Sequence, residues 1–305
     1  MPLPLSYPGF RCLLEYLEAV KRAHIVGRSP GLQKVDKLIP LRLKNLHTSS
    51  EEMNFNNLII RYYDKDELKF KTDKRTFSRQ RAESQEDKRR KFVNFFFCGR
   101  SIIIVDTLCW FDLFPDFLPV DMKFRVNSLT AISYYFNIAI PFIDPRSFPL
   151  KTLDTSIAHT SSFDNPVVKL AKTLILYLVT RWNVTVEDLK KLSNQTVIFE
   201  KCHTRIDLIP LIKCHIEAKK DIGTTFMIST EHIGLIDMMF REFEQAFVEF
   251  QCDLQGVSER FLPGSSKFSI PINNESRIQV YVIEDQGVGG RWKIVMKPVS
   301  GVSGH

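Results

Sequence analysis

The first forty residues set apolar side chains at helical spacing, and the pattern then turns to alternation. Phe10, Leu13, Leu14 and Leu17 fall at i, i+3, i+4 and i+7, the signature of one apolar helix face. Val20, Ala23 and Val26 form a second short stripe, and Leu32, Val35 and Leu38 a third. Gly27 and Pro30 punctuate between the last two stripes, and Pro40 closes the series. Helices of about three turns each bury little surface by themselves. Such a module leans on the rest of its chain or on a partner.

Beyond Pro40, Leu41, Leu43 and Leu46 alternate with polar neighbours, which predicts a strand. Asn54 to Tyr63 is β-like. Val93 to Phe97 and Ser101 to Val105 are short β-prone runs separated by Gly99 and Arg100. Leu108 to Pro119 gathers Trp110, Phe111, Phe114 and Phe117 around prolines and reads as core-building loop or short helix. Phe124 to Ile132 and Tyr134 to Ile143 are further strand candidates.

From Leu150 a strand–helix rhythm emerges. Leu174 to Leu178 predicts a buried strand, and Thr185 with Asp188 predicts a helix start close to a capping box. Thr196 to Glu200 is the next strand. Thr204 to Lys220 is mainly helical, with Pro210 confined to the first turn. Thr225 to Ser229 is a strand, and Ile233, Ile236, Phe240, Phe243 and Phe247 mark an amphipathic helix. Strand centres at Leu174, Val197 and Phe226 differ by 23 and 29 residues, near the period of a leucine-rich repeat. Phe268 to Ile272, Arg277 to Glu284 and Arg291 to Val299 alternate apolar and polar, with turns at Asn273-Asn274 and Gly287 to Gly290, as in an antiparallel meander.

The predicted fold class is α+β. A three-helix module over residues 1–46 precedes an irregular repeat-like α/β domain over 50–305, which closes in an antiparallel β-meander and carries a charged insertion at 65–91.

Charge changes the picture in one place. The net charge is +7, and between Lys65 and Lys91 eleven Lys/Arg stand against six Asp/Glu, most of that excess. A basic stretch can contact nucleic acid. Only Phe70 and Phe77 interleave with it, so a solvated loop or polar helix between strands is the preferred reading over a nucleic-acid platform. The six cysteines (12, 98, 109, 202, 214 and 252) have no framework spacing and read as free, mostly buried thiols in a reducing compartment, the cytoplasm or nucleus. No apolar run reaches the roughly 18 residues that span a bilayer, and no membrane partner is expected.

Catalytic and metal chemistry is sought without result. Cys202-His203 and Cys214-His215 lack the tight ligand pairs of zinc sites, so no metal is predicted. No cysteine sits in a nucleophile elbow, and Gly287 to Gly290 lies between strands rather than before a helix. The expectation is a protein without catalytic residues or cofactors.

The run LSYPGFRCLLEYLEAVKRAHIVGRSPGLQKVDKLIPLRLKNL resembles a divergent F-box, most closely that of the nematode F-box C-type proteins, which join this module to an uncharacterised associated domain. The resemblance implies a substrate-recognition subunit of an SCF-type (Skp1–cullin–F-box) ubiquitin ligase, linking an unknown protein substrate to a Skp1-type adaptor. It also implies the adaptor-binding residues: Leu5, Pro8, Leu13, Leu14 and Leu17, with Ile25 from the second helix. The chain departs from the family pattern at Glu18-Ala19-Val20-Lys21-Arg22, where an Asp usually precedes the second helix, and it has no Trp in the third. The alternatives are a protein-binding scaffold without a ligase role and, ranked below it, a nucleic-acid-binding protein that uses residues 65–91.

Overall fold

The structure, a computed structural model, describes residues 7–62, 67–73, 75–80, 83–111, 118–119, 121–132, 134–157, 160–178, 184–202, 206–220, 222–254, 260–284 and 292–300. The chain divides into two compact units, residues 1–148 and 149–305. The fold is mixed α+β, with three N-terminal helices, mixed sheet with helices, and a C-terminal antiparallel strand set.

In the first unit, α1 (Tyr7–Tyr16), α2 (Ala19–Val26) and α3 (Pro30–Lys37) follow the three predicted stripes. Seven strands follow: β1 (Leu41–Ser49), β2 (Glu52–Phe55), β3 (Leu58–Arg61), β4 (Glu67–Lys71), β5 (Thr76–Gln80), β6 (Ile103–Phe111) and β7 (Phe124–Thr130). Their order is β7-β6-β1-β2-β3-β4-β5, with β1, β6 and β7 parallel and the remainder antiparallel.

The β-like run from Asn54 is thus two strands. Asn56 adopts φ 54° at the turn, and its Oδ1 accepts from the N–H groups of Lys44 (2.8 Å) and Asn45 (3.1 Å). The described part of the charged insertion forms the β4–β5 hairpin and most of a helix, α4 (Gln85–Phe96). Ser84 starts α4 by accepting the Asp87 N–H at 3.1 Å, and Glu86 and Asp87 suit its positive end. Val93 to Phe97 therefore ends a helix rather than forming a strand. Its apolar residues face inward, with Phe96 stacked on Phe55 at 4.3 Å.

Trp110 and Phe111 correct a second expectation, since β6 runs through both and Trp110 is buried. The inward–outward alternation slips by one residue at Lys44-Asn45, Asp106-Thr107 and Asn127-Ser128, on three neighbouring strands. Tyr134 to Ile143 is not a strand either. It forms α5 (Tyr134–Ala139) and a 3-10 turn (Ile140–Phe142), with Phe136 and Ala139 buried three apart on one face. Phe114, Phe117 and the Gly287 to Gly290 turn lie outside the described residues.

In the second unit, β8 (Thr152–Ile157), β9 (Thr173–Leu178), β10 (Thr196–Glu200) and β11 (Thr225–Thr230) are parallel, and their register steps through Thr152, Thr173, Thr196 and Thr225. β8 adds a repeat that the sequence reading missed. Between strands lie α6 (Pro166–Leu170), α7 (Val186–Lys190) and α8 (Ile209–Ala218). Thr185 and Asp188 form the complete capping box of α7, and Pro210 occupies the first turn of α8. Asn194, buried before β10, donates to the Val168 (2.9 Å) and Ala171 (2.6 Å) carbonyls, tying successive turns together. After α9 (Ile233–Phe247) come β12 (Phe268–Pro271), β13 (Ser276–Glu284) and β14 (Trp292–Ser300), an antiparallel set joined to β11 through β14. Phe240 and Phe243 of α9 pack on Phe268, with ring centroids 6.2 Å apart.

Candidate docking surface

The apolar stripe of α1 is split between two environments. Leu14 is fully buried, forming a small core with Val26 of α2 and Ile39, against which Phe10, Leu32 and Val35 pack. Leu13 (46% exposed) and Tyr16 (85% exposed) stand three residues apart on the outer side, and Leu17 is half-buried. Pro8 is exposed, Ile25 of α2 is 41% exposed and Leu38 beyond α3 is 67% exposed. Leu5 lies outside the described residues.

Leu14 is spent inside the module, while Tyr16, which the spacing argument does not name, is 85% exposed. Leu14→Ala should cost about 2–5 kcal/mol through the cavity it leaves. Leu13→Ala should stay within about 0.5 kcal/mol. Urea unfolding of the two variants checks the pair.

Polar anchors fix the module to its own unit. Glu18 caps α2 by accepting from Val20 N–H (2.9 Å) and Lys21 N–H (3.1 Å), and it also accepts from the Asn56 amide at 2.6 Å. Glu18 thus ties the start of α2 to the β2–β3 turn. Deeper in, Asp36 is shared by Arg22 and Arg100, one on each carboxylate oxygen, and all three side chains are at most 4% exposed. The guanidinium groups also donate to the Asp36, Ile39 and Pro40 carbonyls at 2.7–3.2 Å. Burial lowers the pKa of Arg100, and Asp36 opposes that shift.

Lys37, the last residue of α3, donates to the carbonyls of Asn94 (3.0 Å) and Phe95 near the end of α4. Burial pushes its pKa down to about 8, reinforced by the Arg100 charge and resisted by Asp36. Between about pH 8 and the ordinary 10.5, the unfolded chain holds a proton here that the folded chain has released. This contribution to stability therefore rises with pH across that window. Tyr62 and Cys202, both pushed up to about 12 by burial, act in the opposite sense above their ordinary values. The two cancel when wild type is compared with Lys37→Met. The wild-type-minus-variant stability should climb from pH 8 to pH 10 in parallel denaturations, and a flat difference would contradict the assignment.

The other sequence candidates do not converge. None of the six cysteines forms a disulfide, but only Cys202 is buried; Cys12 is exposed and the rest are intermediate, which corrects the expectation of mostly buried thiols. His203 lies outside the described residues, and His215 bonds the Lys220 carbonyl at 2.8 Å. Among the described residues, no three His, Cys, Asp or Glu side chains are grouped to hold a metal ion. In the basic hairpin, Phe70 and Phe77 stack on each other at 4.8 Å, and Phe77 stays 48% exposed. Among the described residues, no helix is long and apolar enough to cross a membrane.

Residues 86–232 match the family model of a domain of unknown function, DUF3557. The matched segment opens at α4, carries the parallel strands from β6 to β11, and ends just before α9. The three-helix module lies ahead of the DUF3557 segment, so that match says nothing about docking. No curated protein matches the chain, and no solved structure does.

Proposed function

We propose that the chain is a substrate-recognition subunit of an SCF-type ubiquitin ligase, in which the N-terminal module docks to a Skp1-type adaptor and residues beyond it hold a target protein. The reading rests on the resemblance of residues 5–46 to an F-box. The observation that supports it is the apolar set Leu13, Tyr16 and Ile25 left exposed on α1 and α2. Exposed apolar residues on neighbouring helices suit an interface, where fully desolvated anchors carry most of the affinity. The protein would form no covalent bond itself. It would hold a target lysine near a ubiquitin-carrying enzyme, replacing a bimolecular encounter by a tethered one.

A scaffold without a ligase role is the second reading, favoured by Leu14 being spent inside the module. Co-expression with a Skp1-type adaptor separates the two. A complex that stays together through gel filtration supports the ligase subunit, and an adaptor that elutes alone supports the scaffold.

A further inference from the structure

A cavity of about 250 Å³ opens in the first unit where β6 and β7 begin, beside the α4–β6 turn and lined, among the described residues, by Arg100, Lys123, Arg125 and Arg146 against Asp121 and Asp144. We propose that this cavity is an oxyanion site that takes a phosphoryl group, as free phosphate or as a phosphate monoester.

The argument starts from the strand. Lys123 and Arg125 stand two apart on either side of the buried Phe124, so both project to the same face of the sheet. Asp144 lies beside Arg125, but Arg146 already engages both of its oxygens, through Nη2 at 2.7 Å and Nε at 3.0 and 3.1 Å. Those bonds hold the Asp144 carboxyl below its ordinary range, so it is charged and already answered. Arg125, 38% exposed, keeps only a loose ion pair with Asp144. Its Nε is buried without a hydrogen-bond partner and sits 3.8 Å from Asp144 Oδ2, beyond bonding distance. The Lys123 ammonium bonds a neutral carbonyl, that of Pro141. Arg100, on the inner wall, shares Asp36 with Arg22, so that triad also carries one surplus positive charge.

A buried guanidinium N–H without an acceptor is costly, and a planar fork beside an ammonium fits an anion with several oxygens. A phosphoryl group supplies three acceptor oxygens and up to two charges, whereas a carboxylate supplies two oxygens and one charge. This inference does not depend on the adaptor reading, since none of the residues lining the cavity lies on α1 or α2.

Thermal unfolding of the full chain tests it, with inorganic phosphate, O-phosphoserine and acetate titrated at matched ionic strength. Phosphate or phosphoserine should raise the unfolding temperature saturably while acetate does not. Arg125→Gln should weaken the apparent affinity at least tenfold, and Lys190→Gln, a cation of the second unit, should leave it unchanged. If Arg125→Gln loses its fold by circular dichroism, Lys123→Gln is read in its place with the same expectation. A stronger response to phosphoserine than to phosphate assigns the site to a monoester, and the reverse to the free ion. Equal responses to acetate and phosphate, no response, or a response unchanged in the cavity variants would overturn the proposal.

Discussion

Asp36→Asn is expected to cost the first unit about 3–5 kcal/mol, the largest single-residue loss in the molecule outside the apolar core. Asp36 is the one carboxylate between Arg22 and Arg100, and all three side chains are nearly sealed from water. Removing its charge leaves two guanidinium ions buried against backbone carbonyls and each other. The intact triad need not add net stability over an apolar replacement, because desolvation opposes its attraction. Breaking it exposes the full penalty. Denaturant midpoints compared with those of Asp164→Asn, whose carboxylate is exposed and paired to surface lysines, give the contrast. Asp164→Asn should leave the midpoint nearly unchanged. Equal small shifts in both would mean that the triad is solvated in solution.

The second large effect concerns binding rather than folding. Leu13→Asp is expected to abolish capture of a Skp1-type adaptor while the unfolding midpoint stays close to wild type, because Leu13 is already half in water. Tyr16→Asp should behave alike. Leu14→Asp should lose both binding and stability, since it drives a carboxylate into the core with Val26 and Ile39. Three aspartates on one helix thus separate a surface that docks from a surface that packs. If Leu13→Asp also unfolds the module, its exposure in the structure is not the exposure in solution.

Much of this architecture was legible in the residues. The α1 stripe, the capping box at Thr185 and Asp188, and Pro210 in the first turn of α8 each encode a local rule, and each formed as its rule predicts. The C-terminal strands pair antiparallel as expected but bury both faces, since Tyr281 and Val295 are sealed along with their neighbours. The misreadings share a cause. Tyr134 to Ile143 is rich in aromatic and β-branched residues, yet tertiary burial of Phe136 and Ala139 holds its first half in a helix. Val93 to Phe97 looks extended in isolation, but the helix that contains it is started nine residues earlier by Ser84. Strand β6 was cut short because the slip at Asp106-Thr107 breaks the period-two signal.

The candidate docking surface was half legible. Spacing gave the α1 stripe but not which of its residues turns inward, because a stripe about 100° wide covers both Leu13 and Leu14. The Arg22–Asp36–Arg100 triad and the Lys123–Arg125 cavity were invisible for a different reason. Their members are brought together only by tertiary packing, across as many as 64 residues in the triad.

The claim beneath the functional proposal is that the outer side of α1 is an interface. Titration calorimetry of a purified Skp1-type adaptor into the intact chain tests it most directly, with wild type and Leu13→Asp run side by side. The account predicts saturable one-to-one binding by wild type, weakened by at least about 2 kcal/mol, roughly thirtyfold, in the variant. No heat of binding from wild type, or the same affinity in both, would contradict it.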